Sequence, residues 1–269
     1  MTGTRNKNER MKRIAKYVLI GLCGALLAAV MIASCIAGRN SRRDIVCRGV
    51  DIVILDSMEN NFVSSADIRR YLDREYGTYI GRPLDSIDLV KVERIIDGRS
   101  AVKKSQAYVT KDSMLRVKVT QRKPVVRFQK SDGGFYADAE GFIFPLQSSY
   151  ASHVQVIDGA IPLAANSGYK GEVTDPEEKE WLADMMNLVN FIENSRVWKD
   201  KIVQISVEKD GDILLVPREG KQVFIFGHPT GIAGKFRKME MYYTHIVPAK
   251  GADTYRKVDL RFDGQIVCR

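Results

Sequence analysis

Three histidines, four cysteines and 33 carboxylates are the groups through which this 269-residue chain would do chemistry. His153, His228 and His245 stand far apart. None lies in an HExxH pattern or four residues from another, the spacing that sets two imidazoles on one helix face for zinc. Each reads as a surface or hydrogen-bonded histidine. There is no CxxC, no GxSxG and no GxGxxG. Gly231, Gly234 and Lys235 resemble part of a phosphate loop, but Pro229 stands where the first glycine belongs and Phe236 where Ser or Thr would ligate magnesium. That segment reads as a loop entering a helix. Asp138 and Glu140 share a turn and could act as an acid pair; turn chemistry accounts for them more simply. The sequence therefore points to no catalytic residue, no metal and no cofactor, and the expectation is a protein that is not an enzyme.

Charge and hydropathy say where such a chain works. The net charge is +9. Residues 1–16 hold six bases and one acid, while the rest holds 36 bases and 32 acids. The excess is thus concentrated in a short tail, and a nucleic-acid partner is not expected. Residues 17–38 carry no charge. As a helix they would extend about 33 Å, against ~30 Å for a bilayer core. The bases before this run outnumber Arg39, Arg42 and Arg43 after it, which places the N-terminus in the cytoplasm and the bulk outside the inner membrane. Gly21, Gly24, Ala25, Ala28 and Ala29 would admit a second helix, and so weak self-association, or are ordinary filler. Two other readings compete for the run: a cleaved signal peptide, and a lipobox at Ile32-Ala33-Ser34-Cys35 with Cys35 acylated. Cys47 and Cys268 lie in a compartment that permits disulfides; they are expected to stay unpaired.

The elements after a linker at 39–45 divide into two parts. In the first, residues 50–55 form a β-rich run. Ser64 to Asp67 start a helix that carries Ile68, Tyr71 and Leu72 and stops at Gly77. Asp88 caps a second helix with Leu89, Val92, Ile95 and Ile96 on one face. Alternating strands follow around Ala107 and Val109 and around Leu115, Val117 and Val119, turning at Lys111-Asp112-Ser113. This β-α-α-β-β order predicts two helices on one face of a three-stranded sheet over 46–122. Beyond Pro124 the pattern is mainly β. A hairpin turns at 138–141, and strands fall at 154–157, 201–207, 212–217 and 221–226. A helix opens at Asp175-Pro176 and buries Trp181, Met185, Leu188, Val189 and Ile192. Another, over 231–246, carries Phe236, Met239, Tyr243 and Ile246. The chain closes with a strand at 255–262, a turn at Asp263-Gly264 and a segment at 265–268. The fold class is α+β, with a β-rich domain and two helices over 123–269.

These features together resemble the bacterial cell-division family FtsQ, also called DivIB, over nearly the whole chain. Several segments carry the resemblance. One is Gly81-Arg82-Pro83-Leu84 with the helix after it. Another is Val117-Lys118-Val119-Thr120-Gln121-Arg122-Lys123-Pro124, similar to a V-x-V-x-E-R-x-P pattern in which Gln121 replaces the glutamate. The hairpin at 135–144 matches D-x-x-G-x-x-F, and residues 257–264 are similar to a V-D-L-R-Y strand with Phe262 in the tyrosine's place. The resemblance implies a tail (1–16), one membrane span (17–38), a POTRA-type domain and a β domain. It also implies a non-enzymatic septal scaffold that bridges early and late division proteins and binds FtsB-like and FtsL-like single-span partners by strand addition. By position, Lys257, Val258, Asp259, Leu260, Arg261, Phe262, Asp263 and Gly264 would be the docking strand. Its backbone would be unpaired, and Leu260 and Phe262 would share a face as anchors, unless Leu260 packs in the core. Arg261 would meet an acid on the partner or within the chain, and proline at Phe262 would abolish capture. The competing class is a lipidated or secreted POTRA-containing envelope protein in transport or wall binding.

Overall fold

The computed structural model describes residues 22, 24–35 and 45–269. Residues 22 and 24–35 are helical. The tail at 1–16, the two ends of the run expected to span a membrane and most of the linker lie outside the described residues. Among the described residues, no helix is long and apolar enough to cross a membrane.

The chain groups into two compact units. One is Met1–Val53, Arg69–Ile95 and Gln106–Val117; the other is Ile54–Ile68, Ile96–Ser105 and Lys118–Arg269. A three-stranded sheet with order β1-β3-β2 is built from β1 (Gly49–Ile54), β2 (Val102–Val109) and β3 (Met114–Gln121). Two helices accompany it, α1 (Ser65–Tyr76) and α2 (Leu89–Asp97). Their starts follow from local chemistry. The Ser64 hydroxyl accepts from Asp67 N–H while the Asp67 carboxylate accepts from Ser64 N–H, a reciprocal box that satisfies two helix-start donors. Asp88 accepts from Lys91 N–H in the same way. β3 alternates strictly, with Leu115, Val117 and Val119 buried and Arg116 and Lys118 partly exposed, so one face of the sheet is apolar as the sequence pattern requires.

The second unit contains a sheet of ten strands: β4 (Pro124–Lys130), β5 (Gly133–Asp138), β6 (Phe142–Pro145), β7 (Gln155–Gly159), β8 (Gly171–Glu172), β9 (Ile202–Val207), β10 (Ile213–Pro217), β11 (Val223–Gly227), β12 (Lys257–Asp259) and β13 (Val267–Cys268). Their order is β13-β12-β11-β10-β9-β7-β4-β5-β6-β8. Most neighbours are antiparallel, but β4–β7, β7–β9 and β11–β12 are parallel. α3 (Pro176–Asn194) and α4 (Ile232–Met241) cover the sheet. Trp181 of α3 lies 5.9 Å from Phe128 of β4, Phe236 of α4 lies 5.4 Å from Phe226 of β11, and Phe191 stacks on Phe236 at 4.8 Å. Each such ring taken out of water stabilises the core by about 1.5–3 kcal/mol. Asp175 caps α3 by accepting from the Glu177 and Glu178 N–H groups.

The helix expected over 231–246 differs in its second half. After α4 it widens into a π turn at Tyr242–Ile246. Pro248 follows and has no N–H to return to residue 244. The added residue brings Tyr242, rather than Tyr243, to full burial, edge-on to Phe224 at 5.5 Å.

Two polar sites within the second unit hold the start of its sheet. Asp138 accepts from the Glu140 and Phe142 N–H groups, which shapes the hairpin turn, and its other oxygen lies 2.6 Å from Arg122. Arg122 also lies over the Phe142 ring at 3.3 Å. Asp138 is therefore a structural carboxylate, while Glu140 pairs with Lys103 at 2.6 Å on the surface. Gln121, buried, accepts from Val63 N–H and donates to Asn60 C=O and Asp56.

Candidate partner-docking surface

The sequence directs attention to 257–264, and the structure divides that segment in two. Lys257, Val258 and Asp259 form β12. Leu260, Arg261 and Phe262 have left strand geometry, and Asp263 and Gly264 make a turn in which Gly264 takes φ +69°. Shared strand parity therefore stops at Asp259. Leu260 lies wholly inside the core, whereas Phe262 is 43% exposed. They are not two anchors on one face.

The strand does not present an unpaired edge either. On one side β12 runs parallel to β11, with Val258 opposite Phe224, and Leu260 N–H donates to Ile225 C=O. On the other side β13 pairs antiparallel, with Val258 opposite Cys268 and Asp259 opposite Val267. Lys257 and Arg269 exchange both backbone bonds at 2.9 Å. The expectation of free backbone groups along 257–264 is thus corrected: the segment that returns after the turn covers them. The open margin belongs to β13. In an antiparallel ladder, a residue next to a doubly bonded pair points its N–H and C=O the other way. Cys268 is that residue, so its backbone donor and acceptor face away from β12. Ile266 and Cys268 pack partly against the core behind them.

Arg261 organises the ground beside this margin. Its guanidinium reaches Asp212 at 2.6 Å and Asp259 at 2.7 Å. The acid it meets is within the chain, and the pair ties the turn between β9 and β10 to the segment after β12. The hydrogen bond from Arg261 holds the Asp259 carboxyl below its usual range, against the opposing effect of burial. Gly227, at φ +71°, makes room for this arm: a Cβ there would lie 2.7 Å from Arg261 Cγ. Lys238 of α4 donates to the Leu260 and Phe262 carbonyls, clamping the turn from beneath. Next to these groups opens a cleft of about 670 Å³ lined by Asp212, His228, Lys235, Lys238, Arg261 and Asp263. Lys235 donates to His228 C=O at 2.5 Å. Burial, then the charge of Lys238, lowers its ammonium below the ordinary range. Gly231, at φ +60°, leads into α4 as a plain helix start.

Sequence reasoning missed Asp212, Gly227 and Lys238, because each acts through residues some 20 to 50 positions away in the chain. It also missed the cover by β13, although the turn read at Asp263-Gly264 and the segment at 265–268 were its signal. Among the described residues no group of three or more His, Cys, Asp or Glu could hold a metal ion. Cys47 and Cys268 are free thiols.

Comparison with known proteins gives two matches. Residues 123–269 match the family model described as FtsQ/DivIB, C-terminal related. Residues 45–120 match the model of the POTRA-like domain. No curated protein matches the chain.

Proposed function

The chain belongs to the FtsQ/DivIB family, and on that premise we propose that it is a non-enzymatic scaffold of the bacterial division septum. A helix over 17–38 anchors it in the inner membrane, with the basic tail in the cytoplasm and the two folded units outside. It bridges early and late division proteins by capturing FtsB-like and FtsL-like single-span partners. Capture is by strand addition at the C-terminal margin of the ten-stranded sheet, where backbone hydrogen bonds give affinity and alternating side chains give specificity.

One observation carries this reading: β13 ends the sheet with the Cys268 N–H and C=O turned outward beside a packed core. The docking strand implied by the resemblance lies one strand further in, so the receiving edge moves to residues 266–269. The family match over 123–269 also favours a division role over the rival reading of an envelope transport or wall-binding protein.

Crosslinking pulldown from dividing cells, with mass spectrometry of bait and prey, tests the proposal. Cys268→Pro removes the outward N–H while Val267 and Arg269 keep their bonds to β12. Recovery of short single-span coiled-coil partners is expected to fall by roughly two- to tenfold, as loss of one backbone bond predicts. Undiminished recovery, with circular dichroism unchanged, would reject the margin as the docking site.

A further inference from the structure

We infer that the surface where the chain enters the first unit, formed by Ile45, Val46, Arg48, Ile80 and Arg82, rests on the phospholipid headgroup layer of the membrane that holds the protein. The inference rests on the reading of 17–38 as a membrane span.

Three exposed apolar side chains meet there: Ile45 at 42% exposure, Val46 at 44% and Ile80 at 43%. They are brought together by the backbone. Leu84 N–H donates to Ile45 C=O, Cys47 N–H to Arg82 C=O and Gly81 N–H to Cys47 C=O, and Val46 bridges to Pro83. The arriving segment is therefore pinned along the 80–84 loop and cannot turn its side chains elsewhere. Cys47 is buried directly behind it. Ile45 and Leu84 also line an open cleft of about 610 Å³ with Ile87, Leu89 and Val109, which extends the apolar ground.

Chain length fixes what lies opposite. Six residues, 39–44, separate the uncharged run from Ile45. At about 3.3–3.6 Å per residue they reach no further than ~22 Å. A patch carried on so short a tether faces the bilayer. Its chemistry suits that neighbour. Arg48 and Arg82 are exposed and form no ion pair among the described residues, so they are available to lipid phosphates. Asp85 on the adjoining cleft and Asp44 on the tether moderate the positive charge. Arg39, Arg42 and Arg43 on the tether add to it. Apolar side chains set among arginines make an interfacial contact, with the former in the headgroup boundary and the latter on its phosphates.

The test uses the full chain in nanodiscs of phosphatidylethanolamine and phosphatidylglycerol with brominated acyl chains. Val46→Trp places an indole in the patch and Val53→Trp places one on β1 outside it. Emission from the introduced indole at 46 is expected to be quenched roughly twofold more than at 53, as for a side chain entering ~5–10 Å of the boundary. Adding Ile45→Ser and Ile80→Ser should remove that difference. Equal quenching at 46 and 53 in discs that contain the chain would overturn this inference alone. Failure of the chain to enter discs at all would overturn the span, and the inference with it.

Discussion

Gln121 is an amide where the resembled pattern carries a carboxylate, and its neighbours explain the difference. It must accept one bond, from Val63 N–H, and donate to the Asn60 carbonyl at 2.6 Å and to Asp56 at 3.2 Å. Only an amide does both. Gln121→Glu would leave the Asn60 carbonyl without this donor and set a buried charge beside Asp56. A loss of about 3 kcal/mol in unfolding free energy is expected, read by urea titration. A loss below about 0.5 kcal/mol would show the clamp to be incidental. Asp259 makes a prediction of a different kind. Its carboxyl is held below the usual range by Arg261, so its contribution is present above the unfolded value and disappears as pH falls through the folded one. Asp259→Asn should cost about 1 kcal/mol at neutral pH, since Arg261 is partly exposed. The gap between variant and parent should begin to close as pH falls below about 4 and vanish only below the lowered folded value. Parallel curves across the acid range would rule out the coupling.

At the scale of elements, the proposed strand addition makes β13 the element to test. If the added strand joins outside it, β12 and β13 can be fastened together without loss. Val258 and the native Cys268 sit directly opposite in a pair that shares no backbone bonds, the arrangement with the closer side chains. Oxidised Val258→Cys is expected to capture partners as well as its reduced form does. Capture that returns only on reduction would mean that the partner strand takes the place of β13. By the same geometry a proline at Phe262 removes no ladder bond, because the strand has ended, so the sequence-based expectation for it is withdrawn. The helices were legible in the sequence because their signals are local: the Ser64–Asp67 box, Asp88, and Asp175 before Pro176. The pairings were not. β4 was hidden by Pro124, which reads as a boundary yet occupies a first strand position, where no ladder N–H is needed. The parallel pairs join segments whose alternation says nothing about who lies beside whom. The turn at Asp263-Gly264 and the segment after it were legible, but their consequence was not drawn: 266–269 returns along 257–259 and pairs its backbone.

Among the described residues there are two sheets, and the larger one has a seam. β4, β5, β6 and β8 form one antiparallel set, and β9, β10 and β11 another. β7 alone joins them, parallel to both neighbours. It is fitted closely: at Gly159, φ +91°, a Cβ would lie 2.2 Å from Val207 C=O. Both margins of the sheet end in strands of two residues, which keeps copies from pairing edge to edge along their length.

That seam sets a timetable. A chain emerging N-terminus first completes β7 at Gly159, but its second neighbour begins only at Ile202. At roughly 5–20 residues per second, β7 waits several seconds with one flank unpaired. Substitutions that leave the finished fold intact can still lower its yield by lengthening the wait.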